Sequence, residues 1–597
     1  MNIDRNLDLG VIGNCVISAL IDRAGSIVWS CLPRLDGDPV FHALVNGNGG
    51  PEAAGHWTLE LEGMERCEQE YQGNTAVLAT RLFAPAGAVE ILDFCPRFEV
   101  RGRMFRPQMI VRRVRALAGT PRIRVRLRPA FGYGTHRPEI THGSNHVRYV
   151  GPERALRLTT DAPVSYVLAE APFLLEGQAN FLLGADETLR EGVEQTAREL
   201  FEETDAYWRQ WARRLALPRE WQEAVIRAAI TLKLCTFEET GAIVAAMTTS
   251  IPEAPGSARN WDYRYCWLRD AFFVVRALNS LAEVETMEHY LRYIANIVGS
   301  ADGAHLQPVY GIALERRLEE AEMPALAGYR GMGPVRVGNQ AYGHLQHDVY
   351  GNVVLAAAQA FFDRRLLRPA TGQDFERLER VGEQAFRVYA TPDASMWELR
   401  TRERVHTSSA LMCWAACDRL GRIAGQLGRG ERAAFWAGRA ATIRADIEHR
   451  AWDGKRGSFV DSFGGSDVEA GLLLMTEVGF LPPGDPRFAG TVAEIERRLR
   501  RGRHLFRYAA ADDFGEPTTA FNICTFWYID ALARLGREAE ARELFEHMLA
   551  CRSGLGLLSE DIDTATHELW GNYPQTYSLV GIINAATRLS GGWEEVV

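Results

Sequence analysis

The hydrophobic period of this 597-residue chain changes once, near Asp186, and that change restricts the folds open to it. Up to about residue 185 apolar residues recur at every second position. Ile123-Arg124-Val125-Arg126-Leu127-Arg128 alternates with basic residues and Trp57-Thr58-Leu59-Glu60-Leu61-Glu62 with polar and acidic ones, so each presents one apolar face, as a half-buried strand does. Residues 147–150, 157–159, 164–168 and 180–183 read as further strands, separated by turn residues such as Gly151-Pro152 and Asp161-Ala162-Pro163. The pattern predicts an N-terminal antiparallel β-sandwich over residues 1–185.

Beyond Asp186 the period becomes helical. Residues 186–217 form a charged helical linker, and 218–597 carry about a dozen amphipathic segments, at 219–236, 268–283, 284–299, 345–363, 373–390, 405–426, 429–451, 466–477, 488–501, 517–535, 537–550 and 574–590. Twelve helices joined alternately by short and long connections suit a barrel of six helical hairpins, an (α/α)6 barrel. Helix number alone does not separate a barrel from a solenoid, but no repeat of fixed period is present. The long connections, 237–267, 300–344, 391–404, 502–516 and 551–573, hold most of the Trp, Tyr, Arg and Asp clusters and are expected to gather at one barrel mouth.

A chain this long exceeds one ordinary core, which agrees with two domains. With 47% hydrophobic and 24% charged residues and a net charge of −10, it lacks the basic balance of a nucleic-acid binder. No apolar run reaches the roughly 18 residues of a membrane span, and Met1–Gly10 is acidic where a secretory signal is basic, so a cytoplasmic protein is expected. The ten cysteines form no CxxC pair. Cys413 and Cys417 share a helix face among Leu411, Met412 and Trp414, and all ten read as reduced thiols. His344 and His347 lack a surrounding HExxH. Neither a metal nor a cofactor is expected, and self-association into a homo-oligomer is compatible with this surface.

Two glutamates stand in suggestive frames: Ser395-Met396-Trp397-Glu398-Leu399-Arg400 and Leu557-Leu558-Ser559-Glu560-Asp561-Ile562-Asp563. Hydrolysis of a sugar bond needs one carboxyl protonated to serve the departing oxygen and another ionised to activate water. Trp397 offers an apolar face to keep its neighbour protonated, whereas Asp561 and Asp563 make the second frame anionic. Arg259-Asn260-Trp261-Asp262-Tyr263-Arg264-Tyr265-Cys266-Trp267-Leu268-Arg269-Asp270 packs four aromatics and five charges into a helix entry. Such residues lie against pyranose rings and bracket sugar diols; the plainer reading is a helix start with Asp270 in its first turn. In Gly328–Gln340, Arg336, Asn339 and Gln340 can donate to hydroxyls, although a shaped turn explains the glycines equally well.

In combination and in order, these segments resemble glycoside hydrolase family 15, the family of glucoamylases, glucodextranases and some bacterial trehalases. The resemblance starts at Gly25-Ser26-Ile27-Val28-Trp29-Ser30-Cys31-Leu32-Pro33-Arg34-Leu35-Asp36, runs through the 259–270 cluster, Val335-Arg336-Val337-Gly338-Asn339-Gln340 and Ser395-Met396-Trp397-Glu398, and ends at Ser559-Glu560-Asp561 and Gly571-Asn572-Tyr573-Pro574-Gln575. It implies a β-sandwich followed by an (α/α)6 barrel and an inverting mechanism without cofactor, with Glu398 as general acid, Glu560 as general base and the carboxyls roughly 6.5–9.5 Å apart. By the same resemblance Arg269 and Asp270 hold the non-reducing glucose and Tyr263, Trp267 and Trp397 line its pocket; Arg336 and Asn339, as donors in the 328–340 loop, are also expected to bind substrate. Two positions depart from the family pattern: Leu399-Arg400 follow the acid where a second acidic residue is common, and Asp561 follows the base.

The expected reaction is release of β-glucose from the non-reducing end of α-glucans or oligosaccharides, with hydrolysis of α,α-trehalose as the alternative. An inverting α-glucoside phosphorylase shares the architecture but dispenses with a base carboxylate, and a non-catalytic glucan-binding protein is expected to lack one of the two glutamates. The Arg34-Leu35-Asp36 loop is a candidate to reach the barrel mouth from the N-terminal domain.

Overall fold

The computed structural model describes residues 6–47, 53–301, 305–399 and 403–595. Its N-terminal part is built on two large antiparallel sheets, beside a small hairpin of Phe98–Val100 and Arg103–Phe105. One runs Gly10–Gly13, Ser18–Ile21, Ile27–Leu32, His56–Leu61, Arg122–Arg128, Phe173–Leu174, with Asp38–Phe41 paired on Ile27–Leu32. The other runs Glu139–His142, His146–Val150, Ala155–Thr160, Gln178–Ala185, Ile110–Gly119, Gly87–Phe94, Leu78–Ala84, Arg66–Tyr71. Register explains the alternation read in the sequence: Ile123, Val125 and Leu127 oppose Leu61, Leu59 and Trp57, all buried, so the arginines between them turn the other way. There Arg126 reaches Glu60 at 3.2 Å and Arg128 reaches Glu170 at 2.6 Å.

One strand expectation fails. Val164–Leu168 is a short helix in which Val167 alone is buried, so it has no period-two face.

After the helix Val193–Arg213, the remaining helices form two rings. Leu268–Ser280, Asp348–Ala358, Thr407–Gln426, the turn Ala470–Leu473 running into Leu474–Glu477, Asn522–Arg534 and Thr576–Leu589 touch one another in that order, and the last touches the first. That closure makes a barrel and rules out an open solenoid. Gln222–Leu234, Glu285–Ala301, Gly372–Val388, Gly430–Arg450, Pro486–Leu499 and Glu538–Ala550 pack outside it. The side-chain pattern follows this layering. Gly372–Val388 buries a single stripe, Phe375, Leu378, Val381, Gly382 and Ala385, whereas Asn522–Arg534 is buried nearly all round.

The sandwich seats on the barrel through hydrogen bonds and buried charge. Trp29 Nε1 donates to the Met247 carbonyl at 2.7 Å. Arg264 and Asp262 pair at 2.7 Å with both side chains fully buried, and Arg264 also donates to the Gly37 carbonyl at 2.8 Å and the Tyr133 hydroxyl at 2.7 Å. Arg97, Lys233 and Glu238 form a second buried cluster. Deleting one member of such a pair strands a charge, at a cost of about 3–5 kcal/mol.

Candidate active site

The loops that lead into the inner helices meet at one end of the ring and enclose a narrow pocket of about 90 Å³ walled by aromatic and charged side chains. Tyr263, Trp267, Arg269, Asp270, Asn339, Trp397, Glu398 and Glu560 all line it. Residues drawn from positions 263 to 560 therefore share one wall because each inner helix brings its N-terminal end to the same place. The positive ends of those helices also favour the carboxylates of Asp270 and Asp348 in their first turns.

Glu398 sits on a tight loop whose Ser395 and Glu398 both have left-handed backbone, φ 63° and 59°. Non-glycine residues are held there only by strong surrounding constraint. Asp393 supplies it, accepting from the His347 N–H at 2.8 Å and the Ser409 hydroxyl at 2.6 Å and so tying the loop to two inner helices. Trp267 Nε1 donates to Glu398 Oε1 at 2.7 Å, and Arg269 lies 3.7 Å from the same oxygen. Trp397, which the sequence suggested as the apolar cover of Glu398, turns its indole N–H to Glu469 instead and packs against Tyr508, Phe521 and Trp527. Burial pushes the Glu469 carboxyl up to about 8. Arg400 lies outside the described residues.

Glu560 is 1% exposed and rigidly mounted. Its carbonyl accepts from the Asn522 N–H at 2.9 Å, while Asp561-Ile562 pairs on both sides with Ala520-Phe521 and Leu569-Trp570. Residues 520–521, expected inside a helix, are thus the strand that fixes this hairpin. The Tyr263 hydroxyl donates to Glu560 Oε1 at 2.6 Å, and Oε2 is buried without a protein partner. Burial pushes the Glu560 carboxyl well above the usual range, and Glu253 and Asp561 add to the rise; Tyr263 and Arg507 oppose it. Gly571 closes against this side chain. With φ 75°, it occupies a place where a Cβ would lie 2.6 Å from Glu560 Cβ and 2.8 Å from Oε2.

At the base of the pocket Arg269 lies 3.4 Å from Asp270 and 3.5 Å from Asp348, and donates to Gln346 at 3.1 Å. Burial raises the Asp270 carboxyl to about 6 against the pull of Arg269, and its Oδ1, which faces Arg269 Nε at 3.4 Å, accepts no protein hydrogen bond. The rings of Tyr263 and Trp267 stand 5.3 Å apart.

Two residues expected to bind substrate have other engagements. Arg336 is off the pocket wall: it pairs with Glu320 at 2.9 Å, reaches Asn260 at 3.2 Å and stacks on Trp261. Asn339 is on the wall, but its amide donates to the Asp262 carbonyl and its oxygen caps the turn at Ala341. Arg34 pairs with Glu315 and Asp36, both at 2.6 Å, away from the pocket. Conversely, the motifs did not single out Glu253, Arg507, Tyr508 or Asp512. Glu253 and Arg507 form an ion pair beside Glu560, while Asp512 binds Arg259 at 2.6 Å, bringing the loop at 508–514 across the mouth, where Phe514 meets Trp261 edge-on. The hint in the sequence was the length of the 237–267 and 502–516 connections that carry them.

A Glycosyl hydrolases family 15 model matches residues 220–587, and a Trehalase-like, N-terminal model matches residues 2–178. The trehalase of Mycolicibacterium smegmatis is 32% identical to this chain, the alignment covering 98% of the chain and 92% of the relative. That of Mycobacterium tuberculosis is also 32% identical, with 98% and 90% covered. Among solved structures, a bacterial glucoamylase complexed with acarbose superposes with a TM-score of 0.70 at 12% identity, covering 98% of this chain and 94% of that one, which establishes the shared fold. No helix among the described residues is long and apolar enough to cross a membrane.

Proposed function

We propose that this chain, which belongs to glycosyl hydrolases family 15 and is a glycosidase, hydrolyses α,α-trehalose to two glucose molecules with inversion at the attacked carbon. The observation that carries the substrate is the 32% identity to trehalases over nearly the whole length of both chains. The sequence motifs alone put α-glucan ends first and trehalose second; the relatives reverse that order.

In this reading Arg269 and Asp270 hold hydroxyls of the buried glucose, one offering N–H donors and the other a carboxyl oxygen that accepts no protein hydrogen bond. Trp267 occupies Oε1 of Glu398, so the proton travels from Oε2 to the glycosidic oxygen as the C–O bond breaks. Tyr263 occupies Oε1 of Glu560, leaving Oε2 to take a proton from the water whose oxygen bonds to C1 from the opposite face. One proton is given and one taken, and solvent exchange resets both carboxyls.

Glu560 works only when ionised. Since its pKa is raised, kcat/KM is expected to climb with pH along an acidic limb lying above the ordinary glutamate range of ~4.3. Tyr263 stabilises the ionised form, so Tyr263→Phe moves that limb to higher pH and lowers kcat/KM on it about tenfold or more. A pH–rate profile of both proteins checks this; an unmoved limb removes Tyr263 from the role.

The substrate is tested by glucose release from trehalose, maltose, maltotetraose and isomaltose, with and without phosphate. Trehalose is expected to be the best substrate, giving free glucose under both conditions. A preference for maltotetraose restores the glucan reading, and formation of a sugar phosphate makes the protein a phosphorylase.

A further inference from the structure

Away from the pocket, three histidines and a cysteine from three separate segments converge. His504 opens the strand His504–Leu505; His547 and Cys551 stand four residues apart at the end of the helix Glu538–Ala550; His567 lies in the turn between Asp561–Ile562 and Leu569–Trp570. One donor atom from each lies within 4.8 Å of all the others. His504 and Cys551 are buried, His547 is half-buried, and His567 closes the group from the exposed side.

The spacing suits a single ion. His504 Nε2 and His547 Nε2 are 3.1 Å apart, and His547 Nε2 is 3.6 Å from Cys551 Sγ. Ligands held tetrahedrally at zinc distances, ~2.0–2.1 Å for nitrogen and ~2.3 Å for sulfur, lie about 3.3 Å apart for two nitrogens and about 3.6 Å for nitrogen and sulfur. All three imidazoles are mutual neighbours, with ring centres 5.0 Å apart for His504 and His547, 5.0 Å for His547 and His567, and 5.8 Å for His504 and His567. Ring packing alone accounts for the neighbouring faces but does not require one donor atom from each of four side chains to gather within 4.8 Å of one another. The donor set, three nitrogens and one sulfur without a carboxylate, favours a borderline ion over magnesium or calcium. No local motif announces the group, because the i,i+4 pair His547 and Cys551 is completed only by residues 43 positions before His547 and 20 positions after it.

We propose that His504, His547, Cys551 and His567 form a tetrahedral binding site for a divalent transition ion, zinc by preference, which staples the hairpin carrying Glu560 to the outer helix Glu538–Ala550. Cys551 gives up its thiol proton to solvent on binding. The site touches no substrate; its role is positioning. His567 belongs to the turn that follows Glu560-Asp561-Ile562, and His504 precedes by three residues the Arg507 that pairs beside Glu560. An ion shared by the two would brace both segments. Arg330 also pairs with the same turn, at 2.7 Å from Glu568.

The test is binding, read independently of hydrolysis. Full-length protein stripped by a chelator and titrated with cobalt(II) is expected to take up one ion per chain, with the intense visible bands of tetrahedral cobalt and a thiolate-to-cobalt charge-transfer band. Zinc should displace the cobalt and raise the melting temperature. Cys551→Ser is expected to lose the charge-transfer band. His567→Gln, a change at an exposed residue, should weaken binding by more than the 10- to 100-fold that loss of an outer contact costs, and abolish the zinc-dependent rise in melting temperature. Failure of the folded wild-type protein to bind cobalt or zinc stoichiometrically overturns the proposal, as does binding that is unchanged in both variants.

Discussion

Glu398→Gln is expected to lower kcat on trehalose by about 10²- to 10⁴-fold, the range that a positioned general acid contributes. The same variant should lose far less on α-glucosyl fluoride, because fluoride departs without a proton. Glu560→Ala should be inactive on both substrates, since water still needs its base whatever the leaving group. The contrast matters more than either loss alone: a merely structural role for Glu398 would depress both substrates equally. Trp267→Phe belongs between these extremes. It removes the N–H that occupies Glu398 Oε1 while keeping an aromatic face toward the sugar.

Gly571→Ala carries the second large effect, at a residue with no chemistry of its own. The added methyl would fall 2.6 Å from Glu560 Cβ and 2.8 Å from its Oε2, distances that real contacts do not reach, and the backbone there is left-handed at φ 75°. Glu560 is pinned by its backbone on both sides, so relief comes from moving the side chain off Tyr263. Displacing a catalytic group by about 1 Å costs on the order of 10²-fold in kcat. Steady-state kinetics with circular dichroism as a folding control decides it. A folded variant with unaltered kcat means that Glu560 does not act from the position described.

Much of this was legible in the sequence because it is local. Alternation at 123–128 and helical spacing beyond residue 186 follow from which face of one element is buried, and each run of residues carries that information by itself. Val164–Leu168 misled because five residues are too few to show a period. What the chain did not reveal is set by packing between distant segments. Closure of the inner ring depends on Thr576–Leu589 meeting Leu268–Ser280. Glu398 accepts from the indole N–H of Trp267, 131 positions away, while that of its neighbour Trp397 goes to Glu469. Arg336, in a loop rich in plausible donors, is diverted to Glu320 and Trp261, while Glu253 and Arg507 arrive beside Glu560 from loops whose motifs showed nothing. A motif identifies which side chains stand near a site; the partner each one takes depends on chain that is remote in sequence.

The stereochemistry of the first products tests the account most directly. Both anomeric carbons of trehalose are α. Attack by water on one of them, with inversion, must release one β-glucose and one α-glucose, the latter keeping the configuration of the departing sugar. Proton NMR of a fast trehalose digest, recorded before mutarotation, is expected to show the two anomers appearing in equal amounts. α-Glucose alone in the first minutes would mean retention, and would contradict the assignment of Glu398 and Glu560 as an acid and a base working through water.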